Sequence, residues 1–318
     1  MSPEVQQYTC RTTGSLTATP AQAPGTRAYL AFVAVCLIWG TTYLGIRIAL
    51  ETIPPLMMAA LRWIAAGALL VAVLVVRREP LPRRREWPAL ALLGVLLLGF
   101  GNGAVVWAEL TVPSGLTAVL VAMSPFWMVG IDALMPDGQR LTLRRVIGLI
   151  VGFGGIVLLV WPEVHVDGSG RAFLGGVVST QIACAGWAVG SSYARKRGRG
   201  HASHENVLAT AALEMLFGGL VLLAASLAFG ETAQVRFAPR SAGALIYLIF
   251  VGAIGGFSAY AYALKHLPVA TVSLYAYVNP IIAVILGTLV LQESFSPRIG
   301  IAALVVLAGS ALVKTGDG

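Results

Sequence analysis

From Ala28 to Val313 the chain is a succession of apolar runs, each about the ~17–25 residues that carry an α-helix across a hydrocarbon core. The runs are Ala28–Leu50, Pro55–Val76, Trp87–Leu110, Ser114–Leu134, Leu143–Trp161, Ala172–Tyr193, Asn206–Phe229, Ser241–Leu264, Val269–Leu291 and Pro297–Val313. A membrane β-barrel would alternate apolar and polar residues over ~10 positions. These runs are apolar on all sides, so the expected fold is an all-α integral membrane protein with ten transmembrane helices. Composition agrees. Only 11% of the 318 residues are charged and the mean hydropathy is +0.81, where a soluble domain carries about 25% charged residues. The three cysteines, Cys10, Cys36 and Cys184, form neither a disulfide framework nor a metal motif.

The net charge of +8 invites a nucleic-acid reading until the charges are placed. With the N-terminus inside, all but six of the 22 Lys and Arg residues fall in inner segments, the exceptions being Arg47, Arg62, Arg171, Arg236, Arg240 and Arg298. Inner loops of membrane proteins retain basic residues in this way. The charge is therefore a record of topology. It predicts a multi-pass protein of the cell (inner) membrane with both termini cytoplasmic and no nucleic-acid partner. Residues 1–27 are polar and rich in Thr, Ala, Gly and Pro, and read as a disordered cytoplasmic tail without the pattern of a cleaved signal peptide.

The chain is written twice. Ala59-Ala60-Leu61-Arg62 recurs 152 residues later as Ala211-Ala212-Leu213-Glu214. Trp39 lies eight residues before Arg47, as Trp187 does before Arg195. Pro113 recurs as Pro268, and Ser124-Pro125 as Asn279-Pro280, both at an offset of 155. The expected units are 28–161 with helices 1–5 and 172–314 with helices 6–10. Five is odd, so the second unit enters the membrane inverted, a signature of secondary transporters whose site lies at the repeat interface.

Several motifs carry a family likeness: Ile38-Trp39-Gly40-Thr41-Thr42-Tyr43-Leu44, Ala60-Leu61-Arg62-Trp63, and the Gly-rich last helices of both halves. With them the chain resembles the EamA family of the drug/metabolite transporter superfamily over nearly all of 28–313. Its first half is most similar to the YedA-type permeases, through Pro54-Pro55-Leu56-Met57-Met58-Ala59 and Asn102-Gly103-Ala104-Val105-Val106-Trp107-Ala108-Glu109. The resemblance implies ten helices in two five-helix repeats and export of small metabolites or amino acids. One departure concerns the family's usual Glu before the last helix of each repeat. The second half has it in Gln292-Glu293-Ser294-Phe295-Ser296, whereas the first has Asp137-Gly138-Gln139-Arg140. The Glu reads as a helix-start signal.

Ionisable residues inside a bilayer are costly and mark function. Arg62 and Glu214 occupy equivalent positions of opposed repeats and are expected to meet at mid-membrane as an ion pair that a substrate or a proton breaks; the alternative is a permanent buried pair or an Arg hydrogen-bonded to helix carbonyls. Arg47 and Glu51, four residues apart, read as a membrane-edge pair, and Glu109 as a solvated residue at a helix end. Ser124-Pro125 and Asn279-Pro280 interrupt their helices and free the carbonyls of Val121 and Ala276, pointing to a central cavity. Trp39, Tyr43, Asn102, Trp107, Trp127, Trp187, Tyr260, Tyr275 and Tyr277 are candidate wall residues, with interfacial anchoring as the alternative. The substrate-binding set is Trp39, Tyr43, Arg62, Asn102, Trp107, Ser124, Glu214, Tyr260, Tyr275 and Asn279. Gly99-Phe100-Gly101-Asn102-Gly103 has nucleotide-loop spacing but lies in an apolar helix with no preceding strand, and His201, His204 and Glu205 in a basic loop make a weak metal cluster.

The reading is a secondary-active transporter that exports small metabolites, such as amino acids or amphipathic compounds, by alternating access. Its partners are a small-molecule substrate and the lipid bilayer, with no cofactor and no metal. A proton-coupled multidrug antiporter is the alternative, and the reading leaves open protons as coupling ion and a homodimer. The small four-helix members of the superfamily resemble one another in a mid-membrane Glu of the first helix, which is missing here. A multi-pass enzyme lacks support, since there is no H-E-x-x-H, no G-x-S-x-G and no phosphate-binding loop.

Overall fold

The computed structural model describes residues 25–134, 142–164, 170–198, 206–294 and 296–315. Residues 1–24, Asp137-Gly138-Gln139-Arg140, Arg199 and the group His201, His204 and Glu205 lie outside the described residues. The described chain is helical, without a strand. Eight helices are long and apolar enough to cross a membrane: α1 (Thr26–Ala49), α2 (Pro55–Val76), α3 (Arg84–Ala108), α4 (Ser114–Ala133), α5 (Leu143–Val164), α6 (Gly170–Gly198), α7 (Val207–Ala228) and α8 (Pro239–His266). Two shorter apolar helices follow, α9 (Tyr275–Leu291) and α10 (Pro297–Thr315). Large apolar side chains stand bare on the outside of the bundle, among them Val76, Phe153 and Leu304. No soluble surface tolerates so continuous an apolar face, and a bilayer covers it.

Four spans depart from simple continuity. Inside α3 the residues Gly94–Asn102 wind as a π-helix, and inside α8 the residues Leu248–Gly255 do the same. Such segments are rare and gather at functional sites. The fourth span divides into Ser114–Val121 and Ser124–Ala133, with a turn at Ala122 and Met123. Pro125 lacks the donor and the space to continue the first segment, but fits the first turn of the second. The ninth span, expected to be interrupted at Asn279-Pro280, divides earlier, at Ser273 and Leu274, after a helical turn at Val269–Val272. Pro280 is accommodated inside α9.

Packing rests on small residues. Where α2 meets α7, a Cβ on Gly67 would come within 2.8 Å of the Ala212 carbonyl oxygen, and one on Gly219 within 2.8 Å of the Ile64 backbone nitrogen. Where α5 meets α10, a Cβ on Gly309 would come within 2.6 Å of the Gly152 nitrogen. Helices in lipid gain little from burying apolar side chains against each other, so backbone approach of this kind supplies the contact. Two large apolar cores and two small ones result among the described residues. Of the large ones, one joins α2 and α7 with parts of α1, α3 and α8, and the other joins α4, α5, α6 and α10.

Gly219→Ala is expected to force α2 and α7 apart and to cost about 1–3 kcal/mol of stability. Gly154→Ala enters open space and serves as the control. Thermal unfolding in detergent checks both, and equal midpoints for the two variants would contradict the packing.

Candidate functional site

A cavity of about 610 Å³ lies between the two halves of the chain, lined from α1 to α6 and from α8, α9 and α10. That size suits a small molecule, for which sites run about 300–1,000 Å³. Its deep end is an aromatic chamber. The Trp39 ring stands 5.4 Å from Phe257, 5.2 Å from Tyr260 and 4.9 Å from Tyr275, centroid to centroid, and its Nε1 donates to the Gly252 carbonyl at 3.2 Å. Trp63 Nε1 donates to Asn102 Oδ1 at 3.0 Å, fixing the amide on the opposite wall. Gly256 makes room for Trp39, and Gly101 makes room for Trp187, which also lines the cavity. The other end of the cavity is polar. Asp132 and Arg195 pair at 3.2 Å there, beside the exposed Lys196.

Arg62 faces this space from α2. It is 3% exposed, and its Cζ lies 4.4 Å from the Trp63 ring centroid. Nε and Nη1 have no hydrogen-bond partner, and among the described residues no carboxylate stands within salt-bridge distance. The expected pair with Glu214 is thus not formed in this conformation. Glu214 does not line the cavity: it lies on the side of α7 that packs on α3, where its carbonyl oxygen comes against Gly94.

The breaks expected at the two prolines take different forms. Ser124 Oγ donates to the Val121 carbonyl at 2.7 Å, answering the acceptor left where the first segment of α4 ends. Asn279 is buried, and with its amide turned to suit its neighbours the nitrogen donates to the carbonyls of Tyr275 at 3.0 Å and Cys36 at 3.1 Å. The amide therefore ties α9 to α1.

The end of the bundle away from Lys196 is closed. The first segment of α4 is buried, and a Cβ on Gly115 would come within 2.8 Å of the Val284 Cα in α9. Glu293 holds this contact. Its carboxylate accepts from Ser114 N and Ser114 Oγ, both at 2.8 Å, and from Gly115 N at 3.1 Å. A carboxylate at a helix N-terminus answers orphan donors and opposes the positive end of the helix dipole. Glu293 does mark a helix start, but it is that of α4 in the other half of the chain, not of the helix that follows it. The sequence hides this because the cap comes from 179 residues away. Gln292, in the left-handed region at φ 55°, reverses the chain after α9 and lays Glu293 back against Gly287. Glu231 caps α2 in the same manner, accepting from Met57 N and Ser226 Oγ at 2.8 Å each.

Two edge expectations are corrected here. Glu109 is fully buried, with neither carboxylate oxygen hydrogen-bonded among the described residues. Gly176 of α6 packs so closely on Ala108, Thr111 and Val112 that the chain end after α3 is tucked inside. Arg47 donates to the Glu109 carbonyl, and Glu51 pairs with Arg240 at 3.4 Å, so Arg47 and Glu51 do not pair with each other.

Of the sequence-derived set, Trp39, Tyr43, Arg62, Asn102, Ser124, Tyr260, Tyr275 and Asn279 line the one cavity, and Tyr277 and Trp187 join them. Trp107 lines a second, shallower groove on the outside of α3, α6 and α7. Trp127 donates to Gln181 at 2.9 Å and does not line the cavity. Thr42, Trp63 and Phe257 were missed, although Trp63 adjoins the Arg62 that drew attention.

Glu293→Gln is expected to weaken the cap by about 0.5–2 kcal/mol and to speed amide exchange at Ser114 and Gly115 by about 2- to 30-fold. Hydrogen–deuterium exchange measures this, and unchanged protection would contradict the cap.

The profile of the EamA-like transporter family matches residues 26–161 and again 174–315. The inner membrane transporter YedA of Escherichia coli (strain K12) is 37% identical over 292 residues, covering 90% of each chain. The transporter YoaV of Bacillus subtilis (strain 168) is 22% identical over 89% of this chain and 95% of its own length. A WAT1-related chloroplastic protein of Arabidopsis thaliana is 28% identical over 88% of this chain and 67% of its own. A solved crystal structure shares the fold with a TM-score of 0.62, at 19% identity over 92% of this chain and 99% of that one. The chain therefore belongs to the EamA-like transporter family.

Proposed function

We propose that the chain is a secondary transporter that exports small amphipathic metabolites through alternating access of the central cavity. The observation that carries this reading is a cavity built by both halves, capped by Glu293 at one end and bordered by exposed cations at the other. In this reading ten helices form two inverted five-helix repeats with both termini cytoplasmic, and the end with Arg195 and Lys196 faces the cytoplasm. Reciprocal contacts support the inversion. Gly67 packs on Leu216 while Gly219 packs on Ile64, and the numbers in each exchange differ by the repeat offset of 152. Trp39 against Gly256 and Trp187 against Gly101 are a second such exchange. The π-helices of α3 and α8, beginning at Gly94 and Leu248, stand at corresponding places in the two halves. Exchanging the roles of the halves would open the Glu293 end and close the other.

Proton coupling is the second reading, and Glu109 favours it. A buried carboxylate without a hydrogen bond, with Arg47, Arg62 and Glu293 as electrostatic neighbours, is a group whose charge the protein can take up and release.

Purified protein in liposomes is expected to move an amphipathic metabolite without ATP. Asn279→Leu breaks the tie between α9 and α1 and should cut the flux severalfold while leaving insertion intact. Unchanged flux would remove Asn279 from the site. If protons couple, Glu109→Gln abolishes the response of flux to an imposed pH gradient and leaves downhill exchange; a retained response would refute that role.

A further inference from the structure

We infer that the cavity selects organic anions, with Arg62 receiving the carboxylate of a substrate whose apolar body lies among the aromatic walls. The inference rests on the transport reading of the same cavity and adds the charge of its cargo.

The first ground is Arg62 itself. A buried guanidinium is expensive unless paired, and at membrane depth such a charge is kept for a use. Here Nε and Nη1 are unanswered in a cavity wall. The guanidinium carbon stands 4.4 Å from the Trp63 ring centroid, and the planar group offers forked N–H pairs suited to the two oxygens of a carboxylate. Glu109 is an electrostatic neighbour of Arg62, but it lies outside salt-bridge distance and does not line the cavity. It offsets part of the charge without hydrogen-bonding to the guanidinium.

The second ground is the sign of the walls. Among the described residues Arg62, Arg145, Arg195 and Lys196 line the cavity, against one lining carboxylate, Asp132. Asp132 is engaged by Arg195 at 3.2 Å. An approaching anion meets cations at the mouth and again in depth, and the low-dielectric walls focus that field. An amine meets the same cations as repulsion.

Three probes share one apolar body and differ in charge: 4-phenylbutanoate, 4-phenylbutanol and 4-phenylbutylamine. Binding to the purified full chain is followed by quenching of tryptophan fluorescence and by calorimetry. The anion is expected to bind at least about tenfold tighter than the amine, the size of a charge-assisted hydrogen bond. Arg62→Gln is expected to collapse the ratio of anion to alcohol affinity, and Arg62→Lys to keep part of it. The wild-type ranking is decisive even if the variants do not fold. Tighter binding of the alcohol or the amine overturns the anion assignment and leaves the transport reading standing. Failure of all three to bind overturns both.

Discussion

In a bilayer, helices cannot be held together by escape from water, so everything here depends on how closely backbones approach. The crossing of α2 and α7 is the central case. Gly67 and Gly219 bring the two helices into backbone contact, and that contact fixes the rotation of α2 about its own axis. Arg62 lies five residues before Gly67 on another face, and the rotation that buries Gly67 on α7 turns Arg62 toward the cavity. A side chain in place of either glycine would displace the cation as well as the helix. The costly residue and the cheap ones are thus one arrangement.

The same logic shapes the two ends of the cavity. At the closed end, polar groups are satisfied across the halves: Glu293 answers the start of α4, and Glu231 the start of α2. Both acids reach helices that lie in the other half of the chain, so each is a tie between halves. Along the cavity wall two spans are interrupted, α4 turning at Ala122 and Met123 and the ninth span at Ser273 and Leu274. Segments divided this way can change their angle without breaking a continuous ladder of hydrogen bonds, which suits a cavity whose two ends open in turn.

Much of this was legible in the sequence for identifiable reasons. The helices follow from long apolar runs, and Pro55–Val76 has the same bounds in both readings. Most of the cavity wall follows from polar and aromatic residues in otherwise aliphatic helices: Trp39, Tyr43, Asn102 and Asn279 stand out by type alone. What stayed hidden depends on contacts between distant parts of the chain. Glu293 carries no sign that it caps α4, and the burial of Glu109 depends on Gly176 in another helix. Equivalence in the repeat misled for Arg62 and Glu214. Their equivalence places them on mirrored helices without making their side chains face one another. The π-helical segments left no readable mark, since apolar and glycine residues suit either winding.

The central claim is that the two ends of the cavity open alternately, and two interspin distances test it most directly. With Cys10, Cys36 and Cys184 replaced, one spin-label pair is placed at Leu110 and Gln292, near the Glu293 cap, and another at Leu134 and Leu274, at the opposite end. Adding 4-phenylbutanoate to the protein in liposomes is predicted to shift the two distance distributions in opposite senses, one lengthening as the other shortens. Distances that stay fixed, or that lengthen together, would contradict alternating access.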